Sequence, residues 1–372
     1  MKLKENKMKK TAKRIDEIEL SGIRKAFLMA QKIKDPIDLS IGQPDFDVPS
    51  VIKEKAIESI RSGFNHYTPT AGIPELRGKI KNKLAKKNKI RVRPEQVLVT
   101  SGTTGGIFLS FFTLIDPGDE VIILDPYFVA YKELAKLCGA KIKIVSTYPD
   151  FQPNISLIKK AVGKKTKLIV LNSPNNPTGA VYKEKTIKEI VKIAKENDIF
   201  ILSDEVYEDF IYEGKHFSPQ SIYKNTITLN GFSKSGSMTG WRIGYASGPK
   251  EVIDKMAKLQ QLSFVCAPSF AQKAALTALE YDNGKEIENY RKKRDVIFNG
   301  LKDHYPIVKP EGAFYIFIKV PYGDERFVKK LLQKRLIAVP GSAFSGNRGY
   351  IRISYATSDE SIKKAVSILT EQ

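Results

Sequence analysis

Cysteine is almost missing from this chain of 372 residues, which holds only Cys138 and Cys266. Two cysteines so far apart build neither a disulfide framework nor a thiolate metal site. Histidine is nearly as scarce: His66, His216 and His304 are scattered, so no zinc ligand set is visible and no metal is expected. No apolar run approaches the ~20 residues a membrane span needs. The basic start, MKLKENKMKKTAKR, lacks the apolar segment of a secretory signal and reads as a frayed tail. These absences lead us to expect a soluble, cytoplasmic protein with no membrane partner. Acidic residues are the remaining deficit, with 41 Asp+Glu against 62 Lys+Arg and a net charge of +21. That excess would suit a nucleic-acid binder. No helix-turn-helix, zinc-finger or aromatic RNA-binding pattern goes with it, however, and the lysines are spread over helical patterns such as KEKTIKEIVKIAKEND. They read as a solvated surface suited to heat, with no specific nucleic-acid partner.

What is present is a sizeable core. Apolar residues make up 42% of the chain, and its length fits roughly two domains of about 150 residues. Between about residues 96 and 248, short β-rich runs alternate with helical patterns: QVLVTSG, EVIILDP, KIKIVST, KLIVLNSP, IFILSDEVY, TITLNGF and RIGYASG. Most are apolar throughout, as strands buried on both faces must be. Ile187, Ile190, Val191 and Ala194 follow the spacing of one helix face between two such runs. The alternation predicts an α/β fold with a mostly parallel seven-stranded sheet. The last two runs have no helix between them and predict one antiparallel neighbour. Beyond residue 250, three helical patterns precede the strand GAFYIFIKV, the helix RFVKKLLQKR, the strand YIRISYAT and a final helix. Thr357 and Glu360 are spaced as that helix's capping box. This C-terminal part reads as a smaller α+β domain.

Ligands of open α/β sheets bind at the carboxyl ends of the strands. QVLVT is followed by SGTTGG entering a helix, a place where backbone N–H groups can hold an anion. The glycine pattern fits neither the dinucleotide nor the nucleotide-triphosphate fingerprint. The other strands are followed by DPYFVAY, by NSPNNPTG, by SDEVY, and by NGFSKSGSMTGWRIGY with Lys234, Arg242 and the lone Trp241. Each segment alone has an ordinary explanation as cap, core or surface. Together they supply an anion cradle, a planar aromatic, an amide, a buried acid, a phenol, a lysine and an arginine, which are the groups that pyridoxal phosphate requires.

These motifs, with LSIGQPDFDVP, HYTPTAGIPELR, DPGDEVIILDPYF, PGSAF and YIRISYAT, resemble the class I aminotransferases of the pyridoxal-phosphate fold type I superfamily. The resemblance runs over nearly the whole chain and is of the aspartate/aromatic kind. It implies an N-terminal arm and part of the small domain over 1–45, a large cofactor-binding domain over 46–280 and a small C-terminal α+β domain over 281–372. It also implies that Lys234 bonds the cofactor aldehyde and then acts as base and acid. Asp204 would face the ring nitrogen, and Asn176 and Tyr207 would donate to the ring oxygen. Arg242, Thr103 and Thr104, with Ser233, would clamp the phosphate, Phe128 would stack on the ring, and Tyr67 would reach the phosphate of a neighbouring subunit in a homodimer. Arg352 would grip the substrate carboxylate, and the backbone at Gly42 would close over it. Cis peptide bonds are expected before Pro126 and Pro177.

Two positions depart from the family pattern. Gly231 stands where many relatives carry a serine, and Thr104 stands where some aspartate-preferring relatives carry a lysine. The expected reaction moves an amino group between an L-amino acid, aspartate or aromatic and with some breadth, and a 2-oxo acid such as 2-oxoglutarate. A carbon–sulfur lyase on the same fold is the alternative, and a nucleic-acid-binding regulator is a third reading.

Overall fold

Strands that are apolar at nearly every position must be covered on both faces, and the order of elements here does that. The computed structural model describes residues 12–19, 22–31 and 33–372. Most of the basic N-terminal segment, residues 1–11, lies outside them. Seven strands form the central sheet: β1 (Val97–Thr100), β2 (Glu120–Asp125), β3 (Lys141–Ser146), β4 (Thr166–Asn172), β5 (Phe200–Asp204), β6 (Thr226–Gly231) and β7 (Gly244–Ser247). Their spatial order is β1-β7-β6-β5-β4-β2-β3. β7 alone is antiparallel to its neighbours β1 and β6; the other pairs are parallel. All residues of β1 and β6 are buried. β3 lies at the edge, and Lys141 and Lys143 keep it from being apolar throughout.

Helix Glu184–Glu196 buries Ile187, Ile190, Val191, Ile193 and Ala194 against the sheet, so the spacing read from the sequence is its core face. A second sheet, β8 (Tyr315–Lys319), β9 (Val339–Pro340) and β10 (Tyr350–Ser354), runs antiparallel in the order β9-β10-β8. Residues Ile37–Asp38 pair in parallel with Leu336–Ile337 and bring the segment Ser40–Gly42 beside it. Helices Gly284–Leu301 and Asp359–Thr370 cover the second sheet through Tyr290, Ile297, Ile362 and Leu369. Among the described residues, no helix is long and apolar enough to cross a membrane.

Two local expectations need correction. Helix Asp359–Thr370 is capped by Ser358, whose hydroxyl accepts from Ser361 N at 3.1 Å, and not by the pair Thr357 and Glu360. The carbonyl of Thr357 is occupied instead by Lys293 Nζ, so the chain turns into the helix one residue later. Cis bonds occur at Asp125–Pro126, Tyr148–Pro149 and Ser173–Pro174, and the bond before Pro177 is trans. The reversal after β4 falls earlier than expected because Asn172 Oδ1 accepts from Asn176 N at 2.9 Å and closes the turn across Pro174.

The segment leaving β5 is anchored from behind by a buried ionic network. Glu205 is wholly buried and accepts from Ser218 Oγ at 2.6 Å, Ser203 Oγ at 2.9 Å and Asn88 Nδ2 at 3.2 Å. His216 Nε2 lies 2.8 Å from Glu205. Glu208 pairs with Lys83, and Lys87 with Asp209. Glu205, Glu208 and His216 could converge on a cation. Here, lysines and hydrogen-bond donors already take the carboxylate oxygens, so the cluster is an internal salt network. Burial alone would raise the Glu208 carboxyl, but Lys83 and Lys87 outweigh it and hold it near about 2. A depressed carboxyl stabilises the fold above its unfolded value, and that stability is lost as pH falls from about 4.5 towards 2. Glu208→Gln is expected to cost ~3 kcal/mol in denaturant titration at neutral pH, because it strands Lys83. It should also flatten the acid limb of the stability profile; an unchanged limb would show that Glu208 carries no such charge.

Candidate active site

The carboxyl ends of six strands and the amino end of β7 meet on one edge of the sheet. Backbone freedom is needed first. Gly102 opens helix Gly102–Leu114 at φ +66°, and a Cβ there would lie 2.7 Å from Arg242 Nη2. Glycine therefore lets the guanidinium rest on the helix start, where unpaired N–H groups and the helix dipole favour an anion. Arg242 itself sits at φ +52° and donates from Nη1 to Thr239 O at 2.7 Å. The structure also explains the departure at Gly231. A Cβ at that position would lie 2.8 Å from Thr103 Oγ1, so the threonine hydroxyl takes the space of a serine side chain. That hydroxyl is buried and has no protein partner.

Thr103, Thr104, Ser233 and Arg242 line one end of a cleft of about 480 Å³, part of it open to solvent. Phe128, Asn176, Asp204, Tyr207 and Lys234 line the rest. Lys234 Nζ donates to Gly42 O at 2.5 Å and lies 5.6 Å from the Tyr207 ring and 5.7 Å from the Phe314 ring. Burial drives its pKa down to about 8, the cations Arg352 and Arg242 push the same way, and only Asp204 opposes them. Asp204 is 4% exposed. Burial lifts its carboxyl to about 6, against the hydrogen bonds from Tyr131 and Val206 N and the charge of Lys234; Glu205 adds to the rise. Tyr131 Oη donates to Asp204 Oδ2 at 2.6 Å. Tyr207 and Tyr315 share a hydroxyl–hydroxyl bond of 2.6 Å.

Arg352 is buried at the border between the two sheets. It donates from Nη1 to Asn176 Oδ1 at 3.0 Å and from Nη2 to Ser40 O at 2.5 Å, and its Nε has no partner. Its guanidinium lies 4.6 Å from the Tyr315 ring and 4.8 Å from the Phe344 ring. Gly42 meets Tyr315 closely: a Cβ would lie 2.3 Å from its hydroxyl. Three candidates lie outside the cleft lining: Gly42 and Arg352 touch it through Lys234 and Asn176, and Tyr67 stands apart at 85% exposed.

Sequence reasoning missed Tyr131, Asn172 and Tyr315. Tyr131 lies three residues after Phe128, a helical spacing that could have placed both on one face. Asn172 donates to the Asp204 carbonyl at 3.1 Å and accepts from Asn176 N, so it ties two neighbouring strand ends together. Nothing in its local sequence distinguishes it from the other asparagines of that turn.

An amine whose pKa is drawn down to about 8, a buried acid, an anion cradle and a sandwiched arginine thus meet at one edge of a mostly parallel α/β sheet. The chain belongs to the aminotransferase class I and II family, whose model matches residues 34–369. It is 44% identical over 371 residues to a probable aspartate aminotransferase of Methanocaldococcus jannaschii, covering 96% of this chain and 98% of that protein. It is 40% identical to the aspartate/prephenate aminotransferase of Thermus thermophilus, covering 92% of each. The solved structure of the Thermus thermophilus aspartate aminotransferase with maleate superposes with a TM-score of 0.94 at 38% identity, covering 98% of this chain and all of that one.

The electrostatics yield a direct check. In the cofactor-free protein, labelling of Lys234 by an amine-selective reagent, followed by peptide mass spectrometry, is expected to rise with pH around about 8. A midpoint above about 10, the ordinary lysine value, would contradict the burial argument.

Proposed function

We propose that this aminotransferase uses pyridoxal phosphate to move an amino group between aspartate or an aromatic amino acid and a 2-oxo acid such as 2-oxoglutarate. The observation that carries the reading is the half-buried Lys234 amine, its pKa drawn down to about 8, in one cleft with Asp204 and the Arg242 cradle. The residues fit the group. Thr103 Oγ1 is a buried hydroxyl without a partner beside Arg242 and the helix start, as a phosphate ligand should be. Asp204 is a buried carboxyl that a protonated ring nitrogen would stabilise. Thr104, Ser233 and Arg242 would complete the phosphate site, Phe128 would cover the ring, and Asn176 and Tyr207 would reach the ring oxygen. Once bound, pyridoxal phosphate supplies an aldehyde for the substrate amine and a ring that takes up the electrons left when the α-proton departs. Lys234 Nζ would take that proton from the substrate α-carbon and return it to the former aldehyde carbon, two atoms further on. Arg352 turns its fork from Asn176 and Ser40 to the substrate carboxylate, and the Gly42 segment excludes water.

In this reading residues 46–280 hold the cofactor, and 281–372, with the arm in 1–45, cover the substrate; the protein works in the cytoplasm. We also infer a homodimer in which Tyr67 serves the neighbouring site. Its support is an exposed apolar surface beside Tyr67, with Leu262 83%, Phe264 41% and Phe112 40% exposed. Phe264 and Phe112 both contact Phe108, and Gln260 donates to Thr70 O.

Two experiments follow. Specificity constants for aspartate, tyrosine, phenylalanine and alanine with 2-oxoglutarate are expected to show transfer, with activity lost together with the yellow colour in Lys234→Ala. Absence of transfer from all four donors would sink the reading. Light scattering is expected to give twice the chain mass, and Tyr67→Phe should weaken cofactor retention ~10-fold while the dimer persists. A monomer that turns over at full rate would refute the shared site.

A further inference from the structure

Tyr131 closes the DPYFVAY motif, from which only Phe128 was singled out, yet it touches two parts of the site. It stands on helix Val129–Leu137 and is 1% exposed. Its hydroxyl donates to Asp204 Oδ2 at 2.6 Å across 73 residues of sequence. Its ring meets Phe128 edge-on, with centroids 5.7 Å apart and planes at 77°. Asp204 Oδ1 receives only a long 3.3 Å bond from Val206 N. Tyr131 is therefore the one short hydrogen bond that orients this carboxylate among the described residues. A carboxylate that is only 4% exposed draws little stabilisation from water, so a single donor has a large effect on which proton state it adopts.

We propose that Tyr131 is a positioning residue for the reaction: its hydroxyl keeps Asp204 ionised and aimed into the cleft, so that a shared proton resides on the cofactor ring nitrogen and not on Asp204. The inference rests on the pyridoxal-phosphate reading above. A donor to Asp204 stabilises the pair formed by carboxylate and protonated ring over the pair formed by neutral acid and neutral ring. Removing the donor shifts the balance towards the second pair, and no atom is otherwise lost from the cleft. A less protonated ring draws fewer electrons from the nitrogen of Lys234, so that nitrogen holds its proton to higher pH. The same ring edge keeps Phe128 in place, which makes the hydroxyl separable from the packing.

Tyr131→Phe tests this, because it removes the hydroxyl and keeps the ring. The holoprotein is loaded with pyridoxal phosphate labelled with nitrogen-15 in the ring. In the unaltered protein the ring nitrogen resonance is expected at the protonated position; in Tyr131→Phe it should move towards the neutral position. The pH midpoint of the visible absorption change should rise by roughly half a unit. kcat is expected to fall ~10-fold, with KM for the amino donor changed less than threefold. Site-specific 3-fluorotyrosine at 131, a stronger donor of the same shape, should move the midpoint downward, and it serves equally if the phenylalanine variant folds poorly. An unchanged resonance and midpoint in either variant, even with lost thermal stability, would overturn the proposal and leave Tyr131 a packing residue. Failure of the unaltered protein to bind the labelled cofactor would overturn the cofactor reading itself, so the two failures are distinguishable.

Discussion

The structure depends on a lysine buried among charges of its own sign. Lys234 sits close to Arg352 and Arg242 in a half-closed cleft, and its only charged counterweight there is Asp204. In water such a cluster would be screened and ordinary; buried, it makes the neutral amine available near physiological pH. The acid responds in the opposite sense, for the same desolvation that lowers Lys234 lifts Asp204. Both groups are thereby moved towards neutrality, and both are those to which the proposed chemistry assigns proton work.

Holding these groups in place requires rigid supports, and the supports lie outside the cleft. Glu205, adjacent to Asp204, is locked by Ser203, Ser218, Asn88 and His216. Burial disfavours a charged His216, but Glu205 and Glu208 outweigh it and raise its pKa. Asn172 fastens β4 to β5 at the level of the site. On the cradle side the supports are missing side chains: Gly102 and Gly231 leave room for Arg242 and Thr103. Charge and space are thus arranged by neighbours that take no part in the reaction.

Much of this was legible in advance. The seven strands and the antiparallel β7 were legible because buried strands must be apolar and because no helix separates β6 from β7. Nine of the candidate residues line the same cleft, since they follow strands whose carboxyl ends a parallel sheet must bring together. Errors arose where neighbouring residues offered the same local signal. Thr357 and Ser358 are adjacent cap candidates; the fold uses Ser358, while the Thr357 carbonyl accepts from Lys293, 64 residues away. Pro174 and Pro177 share one turn, and the Asn172 side chain decides where it reverses.

The sequence by itself determined the sheet and the order of its motifs, because hydrophobic periodicity and strand–turn–helix order are local properties written along the chain; the roles of the lysine, acid and arginines came from the resemblance those motifs carry. Only the tertiary structure decided which acid oxygen Tyr131 holds, why Gly231 is tolerated beside Thr103, and how far the pKa values of Lys234 and Asp204 move. Those depend on burial and on distances between residues far apart in the chain, and Coulomb and desolvation energies exist only once the fold has removed the water.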